Sequence, residues 1–161
     1  MGNGMKRKRG RCEGKSYETN KTKNEQTRPW FVAVHAGAGR HSESSENTHK
    51  AIMKSALLAG EKALRQGKQA AEVVATAVAV MENDEATNAG IGSNLNREGV
   101  VECDACVVDG TGLSGAVGAV QGVFNPVLAA YLLLKQQKED PLPLGLVRPV
   151  LLCADGAKKY A

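Results

Sequence analysis

An α+β layered sandwich is the fold class predicted for this 161-residue chain, and three observations predict it. Apolar residues recur at helical spacing over two neighbouring stretches, 47–65 and 69–82. Two strand-like runs, VVECDACVV (100–108) and LSGAVGAVQ (113–121), are joined by the tight turn DGTG. A third helical stretch and a last short apolar run, VRPVLLC (147–153), follow them. Paired strands beside paired helices describe layers packed face to face.

The chain opens on a different composition. Residues 1–29 hold nine Lys/Arg and three Glu, a net charge of +6, with almost no apolar residues. Such a segment cannot bury enough surface to fold, so a disordered basic tail is expected over 1–29 and the domain over 30–161. The run KRKRGR (6–11) reads as a nuclear-import signal, a polyanion contact or a merely solvated tail. Residues 30–161 carry a net charge of −2, which argues against a specific nucleic-acid binder. No apolar signal-peptide segment and no stretch near the ~20 apolar residues of a membrane span is present. An intracellular location, nucleus and cytoplasm, is the expectation.

The domain begins with FVAV (31–34), a short buried β-run, and then HAGAG (35–39), where side chains nearly vanish. Glycine there implies that something approaches the backbone closely. A dinucleotide fingerprint fits poorly, because Ser42 stands where its third glycine belongs and the next helix starts several residues later. In the helix 47–65, Ile52, Met53, Ala56, Leu57, Ala59, Ala63 and Leu64 share a face, and Gly67 sits at a C-cap position. The helix 69–82, QAAEVVATAVAVME, is apolar nearly all round and should be buried. NDEATNAGIGSNLNREG (83–99) is a long irregular loop.

Cys103 and Cys106 form C-x-x-C inside a strand, where residues three apart face opposite ways, so neither a redox pair nor half a zinc site is expected. Glu102 and Asp104 share a strand face roughly 7 Å apart, a spacing open to acid/base carboxylates, but a solvated or ion-paired face is the expected reading. His35 and His41 flank the glycines as candidate bases or as turn and surface histidines. Asn125-Pro126 opens a helix over 126–138, DPLPLG is a linker, and DGAKKYA begins a further helix. The last strand has no successor, so the chain reads as part of a domain.

Five blocks in one order carry a resemblance: VHAGAG (34–39), NAGIGSNL (88–95), VECDACVVDG (101–110), GAVGAV with NPV (115–127), and VLLCADGAKKYA (150–161). Over about residues 30–161 they resemble the first half of the isoaspartyl peptidase/asparaginase family of N-terminal-nucleophile hydrolases. HAGAG in place of HGGAG, then HSES and NAGIGSNLN, is most similar to its threonine aspartase (taspase) branch. The resemblance implies a partial αββα sandwich truncated before the catalytic strand. It implies a precursor that cuts itself before a threonine, whose freed α-amine is general base for its own hydroxyl.

By matching positions, Gly37 and Gly39 lie against that nucleophile and the Asn88 amide contacts it. The asparaginase relatives also imply a structural sodium ion on main-chain carbonyls, at positions matching Met81, Glu82, Asp84, Thr87, Ala89 and Ile91. The stretch ENDEAT departs from the apolar, proline-containing version of that loop, although carbonyl ligation depends little on side-chain identity. No cofactor is required. The implied partner is the chain's own C-terminal β-subunit, giving an αβ heterodimer and a dimer of heterodimers. The implied activity is cleavage of protein substrates after Asp. The alternatives are a β-aspartyl peptidase/asparaginase fragment or a truncated, non-catalytic binding relative. Nothing matches the nucleophilic threonine: Thr76 is in a helix, Thr87 in a loop and Thr111 in the hairpin turn. The chain alone is therefore expected to be inactive.

Overall fold

The first long helix, α1 (Glu43–Arg65), starts at the serines themselves, earlier than the apolar pattern indicates. Ser42 is its extended N-cap residue, and the Ser45 amide and hydroxyl both donate to the Ser42 carbonyl. The computed structural model describes residues 29–37 and 42–161. Residues 1–28 of the basic tail, Gly39 and His41 therefore lie outside the described residues.

Helix α2 (Ala70–Glu82) follows α1 after the turn at Gly67, whose φ of 77° only glycine adopts readily. The two helices meet along Ile52, Ala56, Ala77 and Met81. Their approach is close at Gly60, where an added Cβ would lie 3.3 Å from Val32 Cγ1 and 3.6 Å from Val73 Cγ1. The other side of α2, Ala71 and Ala75, packs on Val107, Val127, Ala130 and Leu134. A helix with apolar residues all round is thus covered from two sides, as its sequence requires.

Strands β1 (Cys103–Val108) and β2 (Ser114–Val120) pair antiparallel, and β3 (Leu151–Cys153) adds parallel to β2, in the order β1-β2-β3. Asp109 Oδ1 closes the β1–β2 hairpin by accepting from the Thr111 and Leu113 amides and the Thr111 hydroxyl. Helix α3 (Pro126–Gln136) connects β2 to β3 and lies across the sheet. It sits so close that a Cβ on Gly115 would be 2.2 Å from the Leu134 amide nitrogen and 2.3 Å from the Ala130 carbonyl oxygen. Leu133, Leu134, Val117 and Val120 are fully enclosed there, each worth roughly 1.5–3 kcal/mol of burial. Helix α4 (Ala154–Tyr160) adds Ala157 to the same cluster.

The fold is α+β with helices against one face of a three-stranded sheet. A second sheet, which an αββα sandwich needs, is not among the described residues. Two elements differ from expectation. FVAV is not a buried strand: Phe31 is 89% exposed, and no pairing partner lies beside 31–34 among the described residues. The run keeps a two-residue alternation, with Val34 and Ala36 packed on the α1–α2 cluster, so it is extended chain without a ladder. The last strand is three residues long because Pro149 cannot donate to a ladder; the Val150 carbonyl still accepts from Ala116 at 2.8 Å. No described helix is long and apolar enough to cross a membrane.

Candidate functional site

The cavity of interest opens where α2 ends. Its last turn leaves carbonyls without helical partners, and the loop that follows folds back to satisfy them. Thr87 is buried, and its hydroxyl donates to the Met81 carbonyl at 2.6 Å. Gly90, at a φ of 57°, returns the chain onto Glu82, where an added Cβ would lie 2.3 Å from the Glu82 carbonyl oxygen. A Cβ on Gly92 would lie 2.2 Å from the Thr87 carbonyl oxygen and 2.7 Å from that of Glu85. Both glycines are therefore required by a close approach of backbone to backbone.

This folded loop meets the segment before α1. Together with the N-terminal turns of α1 they enclose a cavity of about 570 Å³. His35, Gly37, Ser45, His49, Thr87 and Asn88 are among its lining residues. Gly37 and Asn88, more than fifty positions apart in sequence, thus face one space. Gly37 has a φ of 70°, so its backbone calls for glycine. Asn88 Oδ1 accepts from the Asn94 amide at 2.8 Å. That bond fixes the side chain and leaves both Nδ2 hydrogens available to a ligand.

His49 and Ser45 were not marked as site residues by the sequence pattern. They follow Ser42 at helical spacing, which places all three on one side of α1's first turns. The His49 ring nitrogen Nδ1 is 2.8 Å from the Ser45 carbonyl.

A smaller polar cavity of about 310 Å³ adjoins the first and shares Asn88 and Ala89 with it. Glu102 and Asp104 reach its rim, but both carboxylates are tied. Asp104 Oδ1 accepts from the Ala119 amide at 2.8 Å, which holds a bulge in β2, and Glu102 Oε1 accepts from Gln121 at 2.9 Å. Amide hydrogen bonds from Asn96 and Gln121 hold the Glu102 carboxyl below the usual carboxylate range, the wrong direction for a general acid. Glu82 also lines this cavity and is buried. Burial pushes its carboxyl up, opposed by hydrogen bonds from the Val127 amide and Asn125. The carboxylate thereby seats the last turn of α2 on the first turn of α3, where the helix dipole favours negative charge.

Cys103 is buried and Cys106 exposed, so the C-x-x-C thiols do point to opposite faces. Thr111 lines a different depression with Gln69 and Ala70, at the far end of α2 from Met81, roughly 16 Å along the helix. Its hydroxyl donates to Asp109 at 2.6 Å. Thr76 donates to the Glu72 carbonyl within α2. None of these threonines presents a free hydroxyl to the cavity. Among the described residues no cluster of three or more His, Cys, Asp or Glu side chains could hold a metal ion.

A family profile described as Asparaginase matches residues 28–145. The isoaspartyl peptidase/L-asparaginase of Xenopus laevis is 39% identical over 131 residues, covering 81% of this chain and 39% of that protein. The isoaspartyl peptidase of Escherichia coli K12 is 34% identical over 136 residues, again covering 81% and 39%. The human isoaspartyl peptidase/L-asparaginase is 43% identical over 109 residues, covering 66% of this chain and 35% of that protein. The chain spans about two fifths of the length of these curated relatives. The profile match, together with the loops gathered around one cavity, shows that the chain belongs to the asparaginase family of N-terminal-nucleophile hydrolases.

Proposed function

We propose that this chain is the N-terminal part of a threonine-type amidohydrolase that acts on aspartyl or asparaginyl amide bonds. It supplies the loops that hold the nucleophile and substrate, while the threonine itself belongs to a C-terminal part. The observation that supports this most is the cavity that brings Gly37 and Asn88 together. In the reading carried from the family, a threonine released by self-cleavage enters this space. Its hydroxyl attacks the amide carbon while its own α-amine takes the proton. The C–N bond then breaks and that proton passes to the leaving nitrogen. Water hydrolyses the resulting ester to free the threonine, and the Asn88 amide holds the attacking group in register. Gly39 is proposed to complete the glycine loop.

The partner would be the C-terminal β-part, in an αβ heterodimer that itself pairs. The names of the relatives favour β-aspartyl peptides and asparagine as substrates. The threonine aspartase reading, with protein substrates cut after Asp, rests on the sequence motifs HAGAG, HSES and NAGIGSNLN. The serines that follow HAGAG here, Ser42 and Ser45, line the same cavity.

A sodium ion in this loop is carried over from the family resemblance, and the Met81 carbonyl here already accepts from the Thr87 hydroxyl. Main-chain carbonyls of Glu82 and Thr87 crowd the glycines that close the loop, and oxygen ligation there would involve Met81, Glu82, Asp84, Thr87, Ala89 and Ile91. When bound, the ion would supply charge that ties these carbonyls together. No cofactor enters the chemistry.

The test is to assay the chain alone, and joined to a C-terminal part that begins with threonine, on a β-aspartyl dipeptide, on asparagine and on a peptide with an internal Asp. The joined form should turn over one of these and the chain alone none. Turnover by the chain alone, abolished in Thr111→Ala, would overturn the proposal. Preference for the Asp-containing peptide would select the endopeptidase reading, and preference for the dipeptide the asparaginase reading.

A further inference from the structure

We propose that the Thr87 side chain is the positioning residue that sets where Asn88 presents its amide. The idea rests on Asn88 being a site residue, and it adds a second residue whose hydroxyl acts through the first. The helix α2 is the rigid support here, covered on two sides. Its end leaves the Met81 carbonyl poorly satisfied, since the Asp84 amide reaches it only at 3.3 Å. The Thr87 hydroxyl makes the short bond to the same oxygen, at 2.6 Å, from six residues further on. It also lies 3.2 Å from the Asp84 carbonyl, a second and more distant acceptor for its single hydrogen, so the bond to Met81 is the one that pins the loop to the helix end.

Asn88 is the next residue. Between Thr87 and the return of the chain at Gly90 there are only two residues, so a pin at each end leaves Asn88 little freedom. Its Oδ1 then meets the Asn94 amide. Nothing else polar on Thr87 is needed for packing: valine has the same shape but cannot donate, and serine can donate with one methyl fewer.

The Asn94 amide hydrogen reports this directly, because its acceptor is Asn88 Oδ1. Amide hydrogen exchange followed by NMR on the ¹⁵N-labelled chain, in wild type, Thr87→Val and Thr87→Ser, measures it without turnover. Thr87→Val should speed exchange at Asn94 by about fivefold or more, with amides of α2 and α3 unchanged. Thr87→Ser should stay within about twofold of wild type. Unchanged protection of Asn94 in Thr87→Val would overturn the proposal, as would loss of protection in Thr87→Ser. So would loss at Asn94 that comes together with the α2 and α3 core amides or with unfolding, which would make the hydroxyl a general stabiliser. Failure of the hydrolase reading would show separately, in the joined-chain assay.

Discussion

The two ends of α2 are built differently. At one side Ala71 and Ala75 face Leu134, Val107 and Ala130, and α3 lies on β2 with backbone touching backbone at Gly115. That region is packed from apolar side chains, with ion pairs such as Lys68–Glu72 at its edge. At the other end the chain is held by single polar bonds: Thr87 to Met81, Asn94 to Asn88, Val127 to Glu82. The first arrangement resists change in volume and tolerates little of it. The second leaves space enough for a cavity, so its residues can serve a ligand, and each depends on one donor or acceptor. The candidate site lies where packing gives way to point contacts.

This contrast can be broken from the packed end first. Gly115→Val should cost about 3 kcal/mol or more, because its Cβ would collide with the Ala130 carbonyl and Leu134 amide rather than with a movable side chain. Loss of the cooperative transition in thermal unfolding is the check. Leu133→Ala, which leaves a void under a side chain with no exposure, should cost about 2–5 kcal/mol in denaturant unfolding, with the slope unchanged.

The site end should respond less in stability. Asn88→Ala removes one exposed acceptor from the Asn94 amide and should cost about 1 kcal/mol or less by the same measurement. The smallest effect concerns Glu82. Its carboxyl is raised by burial, so the neutral form is the one the fold favours, and the contribution is present below the ordinary carboxylate range and lost as pH rises through the raised value. Wild type should therefore lose a little stability over that window. Glu82→Gln, which keeps an acceptor for Val127, should flatten the loss; an identical pH dependence in both proteins would contradict the assignment.

Much of the packed end is legible in the sequence. The apolar stretch 69–82 has no polar face, so its helix had to be covered, and α2 is. LSGAVGAVQ reads as a strand, but its buried Val117 and Val120 are three residues apart and share a face only through the bulge in β2, which the sequence does not announce. The site end is less legible, because hydrogen bonds have no period. Gly37 and Asn88 are named from motif resemblance, and both line one cavity. His49 and Ser45 were missed, since a serine-rich turn reads as capping residues whether or not it borders a cavity. FVAV was misread because an alternating apolar run specifies an extended chain, while a strand also needs a neighbour. The taspase reading rests on HAGAG, HSES and NAGIGSNLN, and the relatives reported above carry isoaspartyl peptidase and asparaginase names instead.

The claim that the cavity between the glycine segment and the asparagine loop is the working half of a hydrolase site is tested most directly by turnover in the joined form. Wild type, Gly37→Val and Asn88→Ala should be compared there at matched fold content, with Gly37→Asn as the control that tolerates a positive φ. Gly37→Val and Asn88→Ala should each lower kcat/KM about tenfold or more, equivalent to ~1.4 kcal/mol of misplacement at the reacting centre. Full activity in both folded variants would contradict it and leave the two loops as structural turns.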